Sequence, residues 1–277
     1  MRDMTEPVAR LTGHTVTEWR PMPGYLREAV LDDGRVVVVK RGHEPGATAA
    51  EAAGLRWLAA AEAVPVPSVA GHDDHWLVVD RVLSGRSSAA AAERLGRGLA
   101  RLHAAGAPAF GAAPPGGPAE AWIGLAPMGC VPADDWASWY ASDRVLPYVR
   151  RAVDAGTFDA ADAAVFERAC DRIPASAEPP ARLHGDLWTG NVLWDGREAW
   201  LIDPAAHGGH RETDLAMLHL FGCPHLGTVL GAYEEVAPLA EGWAGRIGLH
   251  QLFPLLVHTV LFGRSYAGQA IAAARSF

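Results

Sequence analysis

The sequence predicts an α+β protein of two lobes: a small N-terminal antiparallel β-sheet lobe with one helix, then a larger, mostly helical C-terminal lobe. Three observations predict it. Strand-like runs concentrate between about residue 20 and Val82, and helical periodicity takes over after Ser84-Gly85. One segment of the second half, "LHGDLWTGNVLW" from Leu183, then gathers His, Asp and Asn between apolar residues, with a strand-like "AWLID" close behind. The expected lobes are residues 1–82 and 83–277, joined by a hinge at about 80–85.

The elements follow in order. "REAVLDDGRVVVVK" is two β-like runs around Asp33-Gly34, a strong hairpin signal. "ATAAEAAGLRWLAAAEAV" reads as one helix that stops before Pro65 and Pro67, and "HWLVVDRVL" is a further strand. In "AAAAERLGRGLARLHAAG", Leu95, Leu99 and Leu102 fall at helical spacing. The Pro- and Gly-rich "APAFGAAPPGGPAEAW" predicts a mobile loop. Helices are expected at about 134–153 and 158–172, a short strand at "AWLIDP", and a tail from about 213 to 275 of helix broken by Gly and Pro.

Composition narrows the function classes. A net charge of −8 disfavours a nucleic-acid or anionic-membrane partner. Cys130, Cys170 and Cys223 form neither a disulfide framework nor a zinc spacing, which points to a reducing cytoplasm. The first ten residues lack an apolar signal core, and "LFPLLVHTVLFG" is too short to span a bilayer. A soluble cytoplasmic protein is expected, with a monomer favoured.

The chemistry concentrates in the His-Asp-Asn segment. Asn191 follows Asp186 by five residues, and Asp203 lies twelve beyond Asn191 at the end of "AWLID". Hard oxygen ligands converging from a loop and a strand end suit Mg²⁺, and one Asp remains to accept a proton from a hydroxyl. This is the catalytic half of a kinase layout. Singly, each has a plain reading: a cap for Asp186, a turn for Asn191, an Asp-Pro turn for Asp203. Lys40, after four valines, is placed to reach phosphates; alone, it would read as a solvent-facing strand-end lysine. Glu51 is its natural ion-pair partner, although Thr48-x-x-Glu51 also reads as a capping box. Trp188 is either core or a wall of the substrate pocket. His184 reads as a strut for the loop. His207-Gly-Gly-His210 invites a zinc reading that loose spacers and the lack of a nearby thiolate weaken.

Together "LHGDLWTGNVLW", "LIDPAAHGGHRETDLAM" and "HQLFPLLVHTVLFG" resemble the fructosamine/ketosamine-3-kinase family, in the aminoglycoside-phosphotransferase-like branch of the protein-kinase-like fold. "GRVVVVK", "EAAGLRWL", "LGRGLARLHA" and "DWASWY" fall in the same order, so the likeness covers nearly the whole chain. It implies ATP and Mg²⁺ as cofactors, Asp186 as base, Asn191 and Asp203 as metal ligands, and Lys40 with Glu51 orienting ATP. It further implies Asp80–Val82 as the adenine-binding hinge and Asp214 as a brace beneath the catalytic loop. Trp188 and His258 are the substrate candidates. The implied reaction is phosphorylation of the 3-hydroxyl of a ketosamine, of fructosamine or ribulosamine type, free or protein-bound, in deglycation repair. Two departures stand out. The nucleotide loop "RPMPGYLREA" offers only Gly24, and His207-Gly208 replaces a tyrosine expected to shape the sugar pocket. The rival readings are a kinase for an aminoglycoside, choline or a plain sugar, and a non-catalytic nucleotide-binding regulator.

Overall fold

The structure, a computed structural model, describes residues 2–24 and 26–277; Met1, and Tyr25 in the expected nucleotide loop, lie outside the described residues. The chain opens on a helix not expected from the sequence, α1 (Arg2–Thr12). It buries Val8 against Ala29, Val37, Val39 and Val78 of the sheet that follows. That sheet comprises β1 (Val16–Pro21), β2 (Arg27–Leu31) and β3 (Val36–Arg41), then, after α2 (Ala47–Ala59), β4 (Val69–His72) and β5 (Trp76–Asp80). Its order is β1-β2-β3-β5-β4, antiparallel throughout. The β2–β3 turn holds Gly34 at φ 83°, a left-handed conformation that glycine adopts without strain. Period-two alternation sends Val37 and Val39 to the α1 face, and Val38 and Lys40 to the interlobe cleft.

Helix α2 begins after Gly46 and does not form the capping box that Thr48 and Glu51 could make. The Thr48 hydroxyl instead donates to the Asp73 carbonyl at 2.5 Å, tying the helix start to the β4–β5 turn. Glu51 is thereby left to face the cleft. The helix buries Leu55 and Leu58 and ends ahead of Pro65, as its sequence suggests.

The C-terminal lobe starts with α3 (Ala89–Ala104), capped by the Ser88 hydroxyl, with Leu95, Leu99 and Leu102 buried. The stretch expected to be a mobile loop is pinned instead. Phe110 pairs with Ala133, Gly111 donates to the Gly208 carbonyl at 2.7 Å, and Gly208 donates to Ala112 at 2.9 Å. Glycine permits this crossing, because a Cβ on Gly208 would lie 2.1 Å from the Ala109 carbonyl oxygen. The stretch then runs into an unexpected hairpin, β6 (Glu120–Ile123) and β7 (Ala126–Gly129).

Helix α4 (Trp136–Trp139) passes through one π-helical turn, Tyr140–Val145, into α5 (Leu146–Asp154), followed by α6 (Ala160–Cys170). Short strands β8 (Ala181–Leu183), β9 (Val192–Trp194), β10 (Ala199–Leu201) and β11 (His207–Gly209) surround the His-Asp-Asn loop. Helices α7 (Glu212–Leu220), α8 (Leu226–Glu234), α9 (Trp243–Phe262) and α10 (Arg264–Arg275) complete the chain. Glycine and proline punctuate this tail as expected, except that Pro254 lies inside α9 without ending it. Just before it, the buried Tyr140 hydroxyl accepts from the Phe253 N–H at 3.2 Å and donates to the Leu249 carbonyl at 2.9 Å. A side chain inserted into the helix ladder thus serves both groups where the proline has no N–H of its own.

Candidate active site

The His-Asp-Asn segment is the loop between β8 and β9. Its apolar members, Leu187 and Val192, are buried in a core with Leu95, Leu99 and Leu215, which fixes the loop from beneath. The fully buried Asp214, in the first turn of α7, accepts the backbone N–H of His184 at 2.8 Å and of Gly185 at 2.9 Å. His103 adds a third contact to this carboxylate at 3.2 Å. Burial raises the Asp214 pKa, but the His103 contact and these backbone donors outweigh it and hold the carboxyl below its ordinary value. His184 is also fully buried. Its Nε2 reaches the Ile202 carbonyl at 2.9 Å, and its Nδ1 accepts from the Asp186 N–H at 3.3 Å, the arrangement of a strut.

Asn191 donates its amide N–H to the Asp186 carbonyl at 2.8 Å and to the Asp186 carboxylate at 2.9 Å. Burial pushes the Asp186 carboxyl up to about 7; the Asn191 hydrogen bond opposes this and the negative charge of Asp203 adds to it. A carboxyl poised near neutrality suits a general base. With the Asn191 nitrogen engaged, its amide oxygen remains free to ligate a cation, and it shares a chamber with the Asp203 carboxylate. Two hard oxygens of this kind fit a divalent cation. Asp203 sits at φ 51°, a left-handed backbone conformation that Asp tolerates better than most residues.

Across the cleft, the Lys40 ammonium lies 2.7 Å from Glu51 and 3.2 Å from Asp203, joining residues 163 apart in the chain. Burial disfavours its charge, yet the two carboxylates outweigh that and hold its pKa above the ordinary lysine value. Strand β3, helix α2 and the end of β10 therefore meet at one ammonium.

Two chambers share Lys40, Glu51, Leu77 and Asp203. The one beside the expected hinge, lined by Asp80–Val82, has a volume of about 80 Å³ and apolar walls from Val38, Leu55, Val79, Leu193 and Ile202. Met22 and Leu26 close it from the β1–β2 turn; Gly24, at φ 66° on the tip of that turn, does not line it. Asp80 and Val82 do line it. The Asp80 N–H is engaged by the Ser68 carbonyl at 2.9 Å and the Arg81 N–H by Val36 at 3.0 Å, so neither amide is available to a base. Sequence reasoning missed these apolar walls; the available signal was the apolar residues flanking Gly24, Asn191 and Asp203.

The second chamber, about 330 Å³, holds Asp186, Asn191, Trp188, Trp122 and Leu125, the last 66% exposed. Its carboxylates are Glu51, Asp186 and Asp203. Of the two readings of Trp188, the structure takes the chamber wall: its indole lies over Gly190, where a Cβ would come within 2.2 Å of the ring. His258 is elsewhere. It bonds the Pro254 carbonyl at 2.7 Å and packs in an aromatic cluster with Phe221, Phe262 and Tyr266, touching Trp188 only through Phe221. His207 and Gly208 lie behind the catalytic loop in β11, paired with β8, rather than on the chamber wall. Nor do His207 and His210 act as a ligand pair. His207 bonds the Ala205 carbonyl, whereas His210 gathers with Glu212 and His250, and Arg246 takes both Glu212 oxygens.

The family model for fructosamine kinase matches residues 31–276. The chain belongs to the fructosamine kinase family. A family member from Synechocystis, named as a ketoamine kinase, is 36% identical over 233 residues, covering 80% of this chain and 75% of its own. A crystal structure assigned to fructosamine-3-kinase from Thermobifida fusca is 45% identical at a TM-score of 0.93, covering 100% of this chain and 98% of that one. An aminoglycoside phosphotransferase in ternary complex with ADP and hygromycin B shares the fold, at 18% identity and a TM-score of 0.62, with 99% and 98% covered. The fold is thus the protein-kinase-like one, and family membership brings ATP use with a divalent metal. Among the described residues, no helix is long and apolar enough to cross a membrane.

Proposed function

We propose that the protein transfers the γ-phosphoryl group of ATP to the 3-hydroxyl of a ketosamine, of the fructosamine or ribulosamine type. One observation carries the choice of acceptor. The carboxylates of the larger chamber are Glu51, Asp186 and Asp203, and all three are engaged by Lys40 or Asn191. A polycationic aminoglycoside would need spare carboxylates; a sugar bearing a single amine does not.

The roles follow from the contacts. Asp186 orients the acceptor hydroxyl and takes its proton as the oxygen attacks phosphorus and ADP departs. Asn191 holds the Asp186 carboxylate in place. Lys40, kept charged by its two carboxylate neighbours, offsets charge on the phosphates; Glu51 keeps it in position. Asn191 and Asp203 would hold Mg²⁺, which supplies further charge neutralisation when bound. The hinge chamber takes adenine, with Val82 rather than Asp80 offering the backbone contact. The 3-phosphate so formed is a leaving group beside the C2 carbonyl. Loss of a proton from C1 and of phosphate from C3 leaves an imine at C1, and water hydrolyses that imine to a 3-deoxy sugar and the free amine. This makes deglycation the outcome. A cytoplasmic setting, where ATP is supplied, and a monomeric state complete the proposal.

A coupled assay of ADP release tests it across amine-linked fructose, ribulose and erythrulose, free sugars, choline and aminoglycosides. The ketosamines are expected to turn over fastest, and Asp186→Asn to lose about 10²–10⁴-fold in turnover with ATP affinity kept. Near-normal turnover in that variant would remove Asp186 as the base. Preferred turnover of an aminoglycoside would replace the acceptor. ATP binding without ADP release on any acceptor would favour a regulator.

A further inference from the structure

Given the ketosamine reading, on which this inference rests, the catalytic groups address the acceptor's hydroxyl and leave its amine without a partner. A secondary alkylamine carries a proton at neutral pH, so the acceptor brings a cation into the larger chamber. The carboxylates there are already held, Glu51 and Asp203 by Lys40 at 2.7 and 3.2 Å and Asp186 by Asn191 at 2.9 Å. An ammonium in such a place is best met by an aromatic π system.

Two indoles line the chamber. Trp188 belongs to the catalytic loop, two residues from the base, with its ring laid over Gly190 and edge-on to Phe221 at 5.8 Å. Trp122 arrives from the β6–β7 hairpin. That hairpin turns tightly at Gly124 and Leu125; its alternation buries Ala121 and Ile123 and turns the Trp122 ring to the chamber, which Ala121 also borders. The Trp122 ring reaches the other lobe, passing 3.6 Å from where a Cβ on Gly46 would sit and meeting His43 edge-on at 5.9 Å. Burial, and then the charge of Lys40, lower the His43 pKa, so this neighbour is neutral and does not repel a cation. None of the catalytic roles falls to Trp122.

We infer that Trp122 is a specificity-determining residue that recognises the protonated amine of the acceptor through its indole, and so sets the preference for a ketosamine over the bare ketose. The test compares 1-deoxy-1-methylamino-fructose with fructose, read as the ratio of their kcat/KM values. Trp122→Leu is expected to lower that ratio about tenfold by raising KM for the amine-bearing acceptor, with kcat and ATP affinity kept. Trp122→Phe, which retains a π system, should lose about threefold or less. A neutral N-acetylated acceptor offered to the unaltered protein should suffer a similar tenfold loss, and this arm holds even if a variant fails to fold. A ratio within twofold of the parent value in Trp122→Leu, or no loss on acetylation, overturns the inference while leaving the ketosamine reading intact. A parent protein that phosphorylates neither acceptor overturns both.

Discussion

The chamber beside the hinge and the chamber beside the catalytic loop share Lys40, Glu51, Leu77 and Asp203, yet they are built in opposite ways. The first is small, with apolar walls from alternate positions of β3 and β5, joined by Leu55 of α2 and by Leu193 and Ile202 of the other lobe, so its shape is set largely by regular elements. The second is about four times larger, 330 against 80 Å³. It is walled by a hairpin, a Pro-rich segment and a loop held by buried hydrogen bonds. A ligand common to all relatives of a fold can be read by a rigid sheet, whereas an acceptor that differs between families is read by replaceable pieces.

Three experiments probe this contrast, beginning with the residue common to both chambers. Lys40→Met should lower turnover by about 10²–10³-fold and weaken ATP binding as well, since one charge serves both sides. Glu51→Gln should do the same more mildly. In steady-state kinetics, the double variant should be little worse than Lys40→Met, because the pair acts as a unit; full additivity would separate the chambers.

The next effect is confined to the catalytic-loop side. Burial holds His207 and His210 at about 3, so both are neutral in the fold. An unfolded histidine titrates near 6.5. Their contribution to stability is therefore complete above pH 6.5 and is lost as the pH falls toward about 3, at roughly 1.4 kcal/mol per unit for each. Melting temperatures should fall steeply between pH 6.5 and 4.5, and His210→Gln should flatten the fall. A profile identical to the parent would mean that His210 does not carry the effect.

The smallest effect lies at the start of α2. Thr48→Val removes the hydroxyl bonded to the Asp73 carbonyl and should cost about 1 kcal/mol in urea unfolding, with turnover unchanged. A loss of turnover there would show that the start of α2 is tuned for Glu51 rather than for stability alone.

The same contrast governs what could be read beforehand. Asp186 and Asn191 stand five residues apart on one loop, and the Lys40 strand leads directly into the Glu51 helix; both are short-range patterns. The hinge chamber escaped because its walls come from many separate segments, each an ordinary apolar position of a strand, a turn or helix α2. Helix α1 escaped because few apolar residues stand among its charges, and Val8 gains its burial only when the sheet is present. The β6–β7 hairpin was hidden by composition. Proline and glycine around it signal a loop, whereas close backbone crossings at Gly111 and Gly208 make the stretch a fixed wall. His258 misled for a related reason: it is a candidate through the resemblance of its segment, but α9 turns its ring into the aromatic cluster beside Phe221.

The backbone of Asp203 has an evolutionary consequence. A non-glycine residue at φ 51° is a place where the molecule is less stable than its topology allows. Asp203→Gly would relax that backbone and lift a carboxylate's influence from Asp186, at the expense of the proposed chemistry. Thermostability screens without an activity readout would favour such a change. In this protein, selection for robustness alone would erode the site from the Asp203 end of β10 inward.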